Sequence, residues 1–166
     1  MDILLVDDDS DCLENMVRAL QPTGYSCVPV NDSLTALNLY REHHFDVVVS
    51  DIKMPGMTGL ELLEQIKEID RDARVIIVTA FGDLKTAVNA INLQAYSFFG
   101  KPIDLKELIH TIRKVEQERR EDPNHTDFEK LRKEHLRLKS AYNNLLGLIQ
   151  DFEEFSGENG KNNENE

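Results

Sequence analysis

Five short apolar runs recur along the first hundred residues, and each is about the length of a buried strand. They cover residues 3–6, 27–30, 47–50, 75–78 and 96–99. Most of these runs are nearly continuous rather than alternating with polar residues, which is typical of strands covered on both faces of a parallel sheet. The pattern therefore predicts five mostly buried strands.

Between these runs, apolar residues return every three or four positions, the spacing of a helix with one buried face. The sets are Cys12/Met16/Leu20, Leu34/Leu37/Tyr40, Leu60/Leu63/Ile66 and Leu105/Leu108/Ile109/Ile112, and a further helix is expected over residues 84–93. Strands that alternate with helices predict an α/β fold with a five-stranded parallel sheet, (βα)5. We expect Gly24 to end the first helix and Pro55-Gly56 to mark the loop after the third strand.

A different pattern begins after residue 120. Pro123 interrupts any continuous helix, which predicts a linker over residues 121–126. Thr126 and Glu129 form a capping-box pattern, and a long amphipathic helix with a coiled-coil seam is predicted over residues 127–155. The seam positions are Phe128, Leu131, His135, Leu138, Tyr142, Leu145, Ile149 and Phe152. Residues 156–166 are polar and acidic, so this tail is expected to be disordered.

Composition limits the classes of function. The chain has 166 residues, of which 40% are hydrophobic, and a formal net charge of −12. This charge disfavours direct nonspecific binding to nucleic acid or to anionic membranes. A first strand at residue 3 leaves no room for a signal peptide, and the absence of a long apolar stretch argues against membrane insertion, so we expect a cytoplasmic protein. Cys12 and Cys27 are expected to be reduced core residues.

Acidic residues follow two of the predicted strands. Asp7, Asp8 and Asp9 close the first run, and Asp51 closes the run at 47–50. The carboxyl ends of parallel strands are where ligands bind in open α/β sheets. Carboxylates gathered there repel one another unless a hard cation binds them, which favours an oxygen-ligated Mg²⁺. We expect Asp9 to cap the first helix rather than to bind the metal.

The order of these motifs closely resembles the receiver domain of bacterial two-component response regulators. The matching segments are VDD at residues 6–8, SDIKMPGMTG at 50–59, VTAFG at 78–82 and FFGKP at 98–102. The resemblance covers residues 1 to about 120. It implies a flavodoxin-like fold that accepts a phosphoryl group from a histidine kinase or a phosphotransfer protein onto an aspartate.

The resemblance also implies residue roles, which agree with phosphoryl-transfer chemistry. Asp51 would be the phosphoacceptor, and Asp7, Asp8, Asp51 and the backbone carbonyl of Lys53 would hold Mg²⁺. Thr79 and Lys101 would contact phosphoryl oxygens, with a cis bond between Lys101 and Pro102. Thr79 and Phe98 would form the conformational switch, although core packing alone would also account for Phe98. Tyr96 is expected on the same strand face as Phe98.

Two rival enzyme classes fail on chemistry. A phosphatase of the haloacid dehalogenase type needs an acid two residues after its nucleophile, where this chain has Lys53. A flavodoxin needs a hydroxyl-rich and glycine-rich phosphate cradle after the first strand, where this chain has three aspartates. Enzymatic activity would then be limited to the receiver's own phosphotransfer and autodephosphorylation.

The segment after residue 120 has no signature of an enzymatic or DNA-binding output domain. The sequence therefore predicts signalling by protein contact, with the C-terminal helix serving for homodimerisation or partner binding. His135 sets the register of the seam in this interpretation, because the flanking pattern of a phosphoaccepting histidine is missing. The alternatives are a stand-alone phosphorelay intermediate and a non-cycling scaffold, each with the helix packed on its own receiver.

Overall fold

The computed structural model of the chain describes residues 1–80 and 84–121, with side chains described for 1–80 and 87–121. The strands are β1 (Asp2–Val6), β2 (Ser26–Val30), β3 (Val47–Asp51), β4 (Val75–Thr79) and β5 (Ser97–Gly100). The helices are α1 (Ser10–Leu20), α2 (Ser33–Glu42), α3 (Gly59–Ile69), α4 (Leu84–Asn92) and α5 (Leu105–Glu121). The predicted linker beyond residue 121, the helix at 127–155 with His135, and the tail at 156–166 lie outside the described residues.

The five strands form one parallel sheet in the order β2-β1-β3-β4-β5. This arrangement confirms the predicted α/β fold with five βα units. The chain leaves β1 for β2 on one side and later returns to β3 on the other. The carboxyl ends of β1 and β3 therefore border the crevice in which an open α/β sheet binds its ligands.

The sheet is covered on both faces, which explains why the strands read as continuous apolar runs. On one face, Leu4 and Val6 pack with residues of α2, α3 and α4. On the other face, Ile3 and Leu5 pack with α1 and α5, whose buried residues are Leu13, Met16, Leu20, Leu108, Ile112 and Val115. Because alternate residues of a strand point to opposite faces, every residue from 3 to 6 is buried.

Short polar side chains cap the amino ends of helices α1, α2 and α3. The Asp9 carboxylate accepts hydrogen bonds from the backbone amides of Asp11 (2.9 Å) and Cys12 (3.2 Å), which confirms its predicted role as the cap of α1. Asp32 caps α2 in the same way, and Thr58 forms a reciprocal capping box with Glu61 at the start of α3. The loops that follow β1, β2 and β3 end at these caps, and they lie at the carboxyl edge of the sheet because the strands are parallel.

Three details differ from the sequence analysis. Leu34 is 60% exposed, because the buried face of α2 consists of Ser33, Ala36, Leu37 and Tyr40. Gly24 has a φ of +77° and closes a short 3-10 turn after α1 rather than α1 itself. Tyr96 was expected to share a strand face with Phe98, which is wrong. Strand β5 begins only at Ser97, and Tyr96 packs on the α1/α5 side, whereas Phe98 packs on the other.

An ion pair of Arg119 links the end of α5 to the amino-terminal edge of the sheet. Its guanidinium lies 2.6 Å from a carboxylate oxygen of Asp46, which precedes β3, and donates to the Asp46 carbonyl at 3.1 Å. The Asp46 carboxylate also accepts from the backbone amide of Asp2 (2.6 Å) and contacts the ring of His44 (3.1 Å). Although burial opposes it, these hydrogen bonds and the charge of Arg119 lower the pKa of Asp46 to about 2.

This lowered pKa predicts an acid-dependent loss of stability. The folded pKa of Asp46 lies below its ordinary value of 3.8, so Asp46 stabilises the fold at neutral pH and loses that contribution as the pH falls from about 4 toward 2. We expect Asp46→Asn to lower the free energy of unfolding by about 1–2 kcal/mol at pH 7. The difference from the parent should shrink at pH 3 in urea unfolding. Glu64→Gln, at an exposed position of α3, is the control, and a deficit of Asp46→Asn that does not change with pH would contradict this assignment.

None of the helices in the described ranges is long and apolar enough to cross a membrane.

Candidate functional site

Three carboxylates meet at the carboxyl edge of the sheet. Asp7 directly follows β1 and Asp51 ends the neighbouring strand β3, and oxygens from Asp7, Asp8 and Asp51 lie within 4.8 Å of one another. Asp7 is fully buried and Asp51 is 5% exposed, whereas Asp8 faces solvent. A group of hard oxygen ligands with one open side suits Mg²⁺, which keeps several of its waters when it binds a protein.

The alternation of the strands explains this grouping. Ile3 and Leu5 on β1, like Val47 and Val49 on β3, point toward α1 and α5. Asp7 and Asp51 continue the same alternation by two residues, so both carboxylates leave the sheet on the same side.

Lys101 joins two of these acids. Its ammonium nitrogen lies 2.7 Å from a carboxylate oxygen of Asp7 and 3.0 Å from one of Asp51. Burial by itself would lower the pKa of Lys101, but the hydrogen bonds and charges of the two aspartates outweigh it and raise the pKa. Lys101 therefore stays positively charged. Its backbone is also held in place, because its amide donates a hydrogen bond to the Thr79 carbonyl at 2.7 Å. The bond from Lys101 to Pro102 is cis, as the resemblance implied.

The Asp51 carboxylate is held in a defined orientation. The backbone amide of Lys53 donates to its Oδ2 atom at 2.7 Å, and Lys101 contacts its Oδ1 atom. Burial raises the pKa of Asp51, and the negative charge of Asp7 adds to this effect, while Lys101 and the Lys53 amide oppose it. Lys101 therefore only partly offsets the effect of burial, and a further cation beside Asp51 would lower its pKa.

Thr79 and Phe98 lie on the two strands beyond Asp51. Thr79 ends β4 and is 1% exposed. Phe98 pairs with Ile77, and both pack in the core formed with α2, α3 and α4. Thr79 is two residues beyond Ile77, so the alternation of β4 directs it to the same face as the half-buried Phe98. The structure thus brings the two predicted switch residues to adjacent strands on one face.

Three neighbours of the site escaped the sequence analysis in this role. Burial, a hydrogen bond to Asp7 and the charge of Asp7 raise the pKa of Cys12 to about 12, so its free thiol stays protonated next to that carboxylate. Ser33 is fully buried and donates a hydrogen bond to the backbone carbonyl of Met57 at 2.7 Å. Gly59 packs against the backbone of Asp51. Each contact joins residues that are distant in the sequence or on different elements, so no local sequence pattern predicts it.

Gly59 leaves no room for a side chain. A Cβ atom at this position would lie 1.9 Å from the carbonyl oxygen of Asp51 and 2.8 Å from its carbonyl carbon. The Gly59 amide also donates to the Ile52 carbonyl at 2.9 Å, which holds the start of α3 against the end of β3. The glycine therefore permits the close approach of α3 to the strand that carries Asp51.

We expect Gly59→Ala to lower the free energy of unfolding by about 2–3 kcal/mol in urea, because backbone atoms must move to admit the methyl group. In most helices a change from glycine to alanine raises the free energy of unfolding by about 1 kcal/mol. A loss of stability in Gly59→Ala would therefore be due to the steric clash. Gly100→Ala is the matched control, since a Cβ there meets nothing within 4 Å. A Gly59→Ala variant as stable as the parent would show that this contact relaxes freely.

The family described as the response regulator receiver domain matches residues 3–113 of the chain. Sporulation initiation phosphotransferase F of Bacillus subtilis is 35% identical over 112 residues, which are 68% of this chain and 90% of that protein. The C4-dicarboxylate transport transcriptional regulatory protein DctD of Rhizobium meliloti is 36% identical over 118 residues, which are 71% of this chain and 26% of that protein. The chain thus spans about a quarter of the length of that transcriptional regulator.

Solved structures agree with the sequence matches. A CheY-like response regulator receiver domain protein from Methanospirillum hungatei has a TM-score of 0.69 and 29% identity, and the match covers 73% of this chain and 98% of that one. The response regulator protein TrrA from Thermotoga maritima, solved in complex with Mg²⁺-BeF, has a TM-score of 0.63 and 29% identity, covering 69% of this chain and 97% of that one. Both matches cover nearly the whole of the other chain.

Proposed function

The chain belongs to the response regulator receiver domain family of two-component signalling, and from that premise we propose that Asp51 accepts a phosphoryl group from a histidine kinase or a phosphotransfer protein. The observation that carries this proposal is the position of Asp51, which lies at a strand end within 4.8 Å of Asp7 and Asp8 and 3.0 Å from Lys101. Asp51 ends β3, the central strand of the sheet, and the backbone amide of Lys53 orients its carboxylate.

Asp7, Asp8, Asp51 and the backbone carbonyl of Lys53 would hold Mg²⁺, and the Mg²⁺-BeF complex of the Thermotoga relative supports this assignment. When bound, Mg²⁺ neutralises negative charge on the oxygens of the phosphoryl group during transfer. The exposed side of the cluster at Asp8 would leave room for its water ligands.

In the transfer step, a carboxylate oxygen of Asp51 attacks the phosphorus of a phosphohistidine. The phosphorus–nitrogen bond breaks, its electron pair returns to the imidazole, and Asp51 becomes an acyl phosphate. A carboxylate needs no general base for this attack. The Lys101 ammonium and the Thr79 hydroxyl would each donate a hydrogen bond to an oxygen of the transferred group, which stabilises the charge that it brings.

The same contacts would provide the switch. A phosphoryl group that draws the Thr79 hydroxyl toward Asp51 changes the space next to Phe98 on the shared face of the sheet. Phe98 has no hydroxyl group to keep at the surface, so deeper burial is its favoured response. The altered surface around β5 would be the signal that partners detect.

The role of the C-terminal helix belongs to the same proposal. An apolar seam over residues 127–155 suits homodimerisation or capture of a protein partner, and the receiver would control that contact by its phosphorylation state. The cytoplasmic location that the sequence predicts remains a prediction.

A phosphorelay intermediate is the second candidate function. The observation in its favour is the match to 90% of the length of sporulation initiation phosphotransferase F, whose name describes a phosphotransferase. In this candidate, Asp51 would pass its phosphoryl group on to a histidine of a further protein. The C-terminal helix would then pack on its own receiver.

The experiment that tests the first proposal is labelling of the chain by acetyl phosphate in Mg²⁺. Stoichiometric, hydroxylamine-sensitive phosphorylation at Asp51, located by mass spectrometry, supports it. A chain that takes up no phosphoryl group from acetyl phosphate or from any purified histidine kinase would leave only the non-cycling scaffold.

A further inference from the structure

The loop between β3 and α3 carries the Lys53 carbonyl, and its shape depends on contacts at both of its ends. Ile52 and Met54 are each 7% exposed and pack in the core with α2, α3 and α4, while Lys53 between them faces solvent. At the start of the loop, the Lys53 amide donates to Asp51 at 2.7 Å. At its far end, the carbonyl of Met57 accepts the hydrogen bond from Ser33.

Ser33 is placed to hold this loop from a neighbouring helix. It is the first residue of α2, which Asp32 caps, and it is fully buried. Its hydroxyl oxygen lies 2.7 Å from the Met57 carbonyl and 3.7 Å from the sulfur of Met54. The one proton of the hydroxyl goes to the carbonyl, the stronger acceptor, and the sulfur packs against the same oxygen. A single side chain thus contacts two of the residues that anchor the loop.

We propose that Ser33 is a positioning residue for the metal site: by holding Met57 and Met54, it aims the backbone carbonyl of Lys53 toward Asp51. This inference rests on the proposed function, because it assumes that the Lys53 carbonyl is a ligand of Mg²⁺. Mutation of a group that orients a metal ligand typically weakens metal binding by about 10–100-fold.

The chemistry of the Ser33→Ala change shows why the loop would move. Without the hydroxyl, the Met57 carbonyl loses its buried donor and can recover a hydrogen bond only by turning toward water. Met57 lies three residues beyond Met54 and four beyond Lys53, so that rotation shifts the segment on which the Lys53 carbonyl sits. The carboxylates of Asp7, Asp8 and Asp51 stay where their strands place them, and the metal site loses one ligand rather than all.

The test is the affinity of the full chain for Mg²⁺, measured without any phosphodonor. Mg²⁺ is titrated into the ¹⁵N-labelled chain, and the amide resonances around Asp51 and Lys53 report the dissociation constant by NMR. We expect Ser33→Ala to weaken Mg²⁺ binding by about tenfold. Asp32→Ala is the matched control, because it removes the cap of the same helix, whose carboxylate accepts from Thr35 at 2.8 Å, without touching the loop. The Mg²⁺ dissociation constant of the control should lie within about twofold of that of the parent, because Asp32 supports neither a proposed ligand nor the loop.

Equal Mg²⁺ affinities of Ser33→Ala and the parent would overturn the inference. Asp32→Ala that weakens Mg²⁺ binding as much as Ser33→Ala does would also overturn it, because the effect would then come from a destabilised start of α2. Should Ser33→Ala not fold, Ser33→Cys retains the side-chain volume with a weaker donor, and unchanged Mg²⁺ affinity in that variant would overturn the inference. The proposed function is tested separately by phosphorylation of the parent. A parent that binds Mg²⁺ but takes up no phosphoryl group fails the proposed function while the positioning role of Ser33 stands on its own result.

Discussion

Asp51→Asn is expected to abolish phosphorylation of the chain by acetyl phosphate, with a loss of at least about 10³-fold in rate. An amide oxygen is a poor nucleophile toward phosphorus and cannot form an acyl phosphate. Asparagine keeps the size of the side chain, so the hydrogen bond from the Lys53 amide can be retained. The loss would therefore report chemistry rather than collapse of the site. The measurement is intact-mass spectrometry of the full chain after incubation with acetyl phosphate and Mg²⁺.

Asp9→Asn is the matched control for this result. Asp9 lies at the same edge of the sheet, but its carboxylate accepts hydrogen bonds from the first turn of α1 and is not part of the group formed by Asp7, Asp8 and Asp51. It should be phosphorylated at nearly the parent's rate. Excess chelator should stop phosphorylation of both the parent and the control. Phosphorylation that persists in Asp51→Asn would show that another residue is the acceptor. Phosphorylation of the parent that is unaffected by the chelator would show that the reaction needs no metal ion.

The fold could be predicted from the sequence because its strands are buried on both faces. Such strands form continuous apolar runs, and the helices between them keep their three- and four-residue spacing, so element type and order follow directly. The errors occur at ends and faces. Tyr96 belongs to the apolar run at 96–99 and stands two residues from Phe98, which predicts a shared strand face, yet its ring lies against Arg74, with the guanidinium 5.7 Å from the ring centre. Leu34 matches the three-residue spacing of the buried face of α2, yet it is 60% exposed and Ser33 takes the buried position in the first turn.

The grouping of acids at the site was equally predictable, because parallel strands bring their carboxyl ends to one edge. The contacts that orient those acids were not. Ser33 meets Met57 across 24 positions of sequence, and Gly59 approaches the Asp51 backbone through the packing of α3 on the sheet. Arg119 meets Asp46 across 73 positions. Contacts of this kind depend on how helices pack on the sheet, and hydrophobic periodicity fixes the buried side of a helix without fixing which polar groups meet.

The two candidate functions differ in what the C-terminal segment does. Helix α5 ends at Glu121, and the ion pair of Arg119 holds its last turns at the amino-terminal edge of the sheet. Asp7, Asp8 and Asp51 lie at the opposite edge. A response regulator that signals through self-association needs the seam of residues 127–155 to pair with that of a second copy. A relay intermediate needs no such pairing. Self-association of the chain would therefore favour the response regulator over the relay intermediate.

If the seam pairs two copies, replacing Leu138 and Leu145 together by glutamate should convert the chain to a monomer. Each buried leucine contributes on the order of 2 kcal/mol, so four leucines in a dimer amount to about 8 kcal/mol, or nearly six orders of magnitude in dissociation constant. Sedimentation velocity over a range of concentrations measures the effect. The control is Leu136→Glu with Asn143→Glu, which adds the same charge at positions outside the seam and should leave the dimer intact. A parent that is already monomeric at tens of micromolar would refute self-association and favour partner capture or packing of the helix on its own receiver.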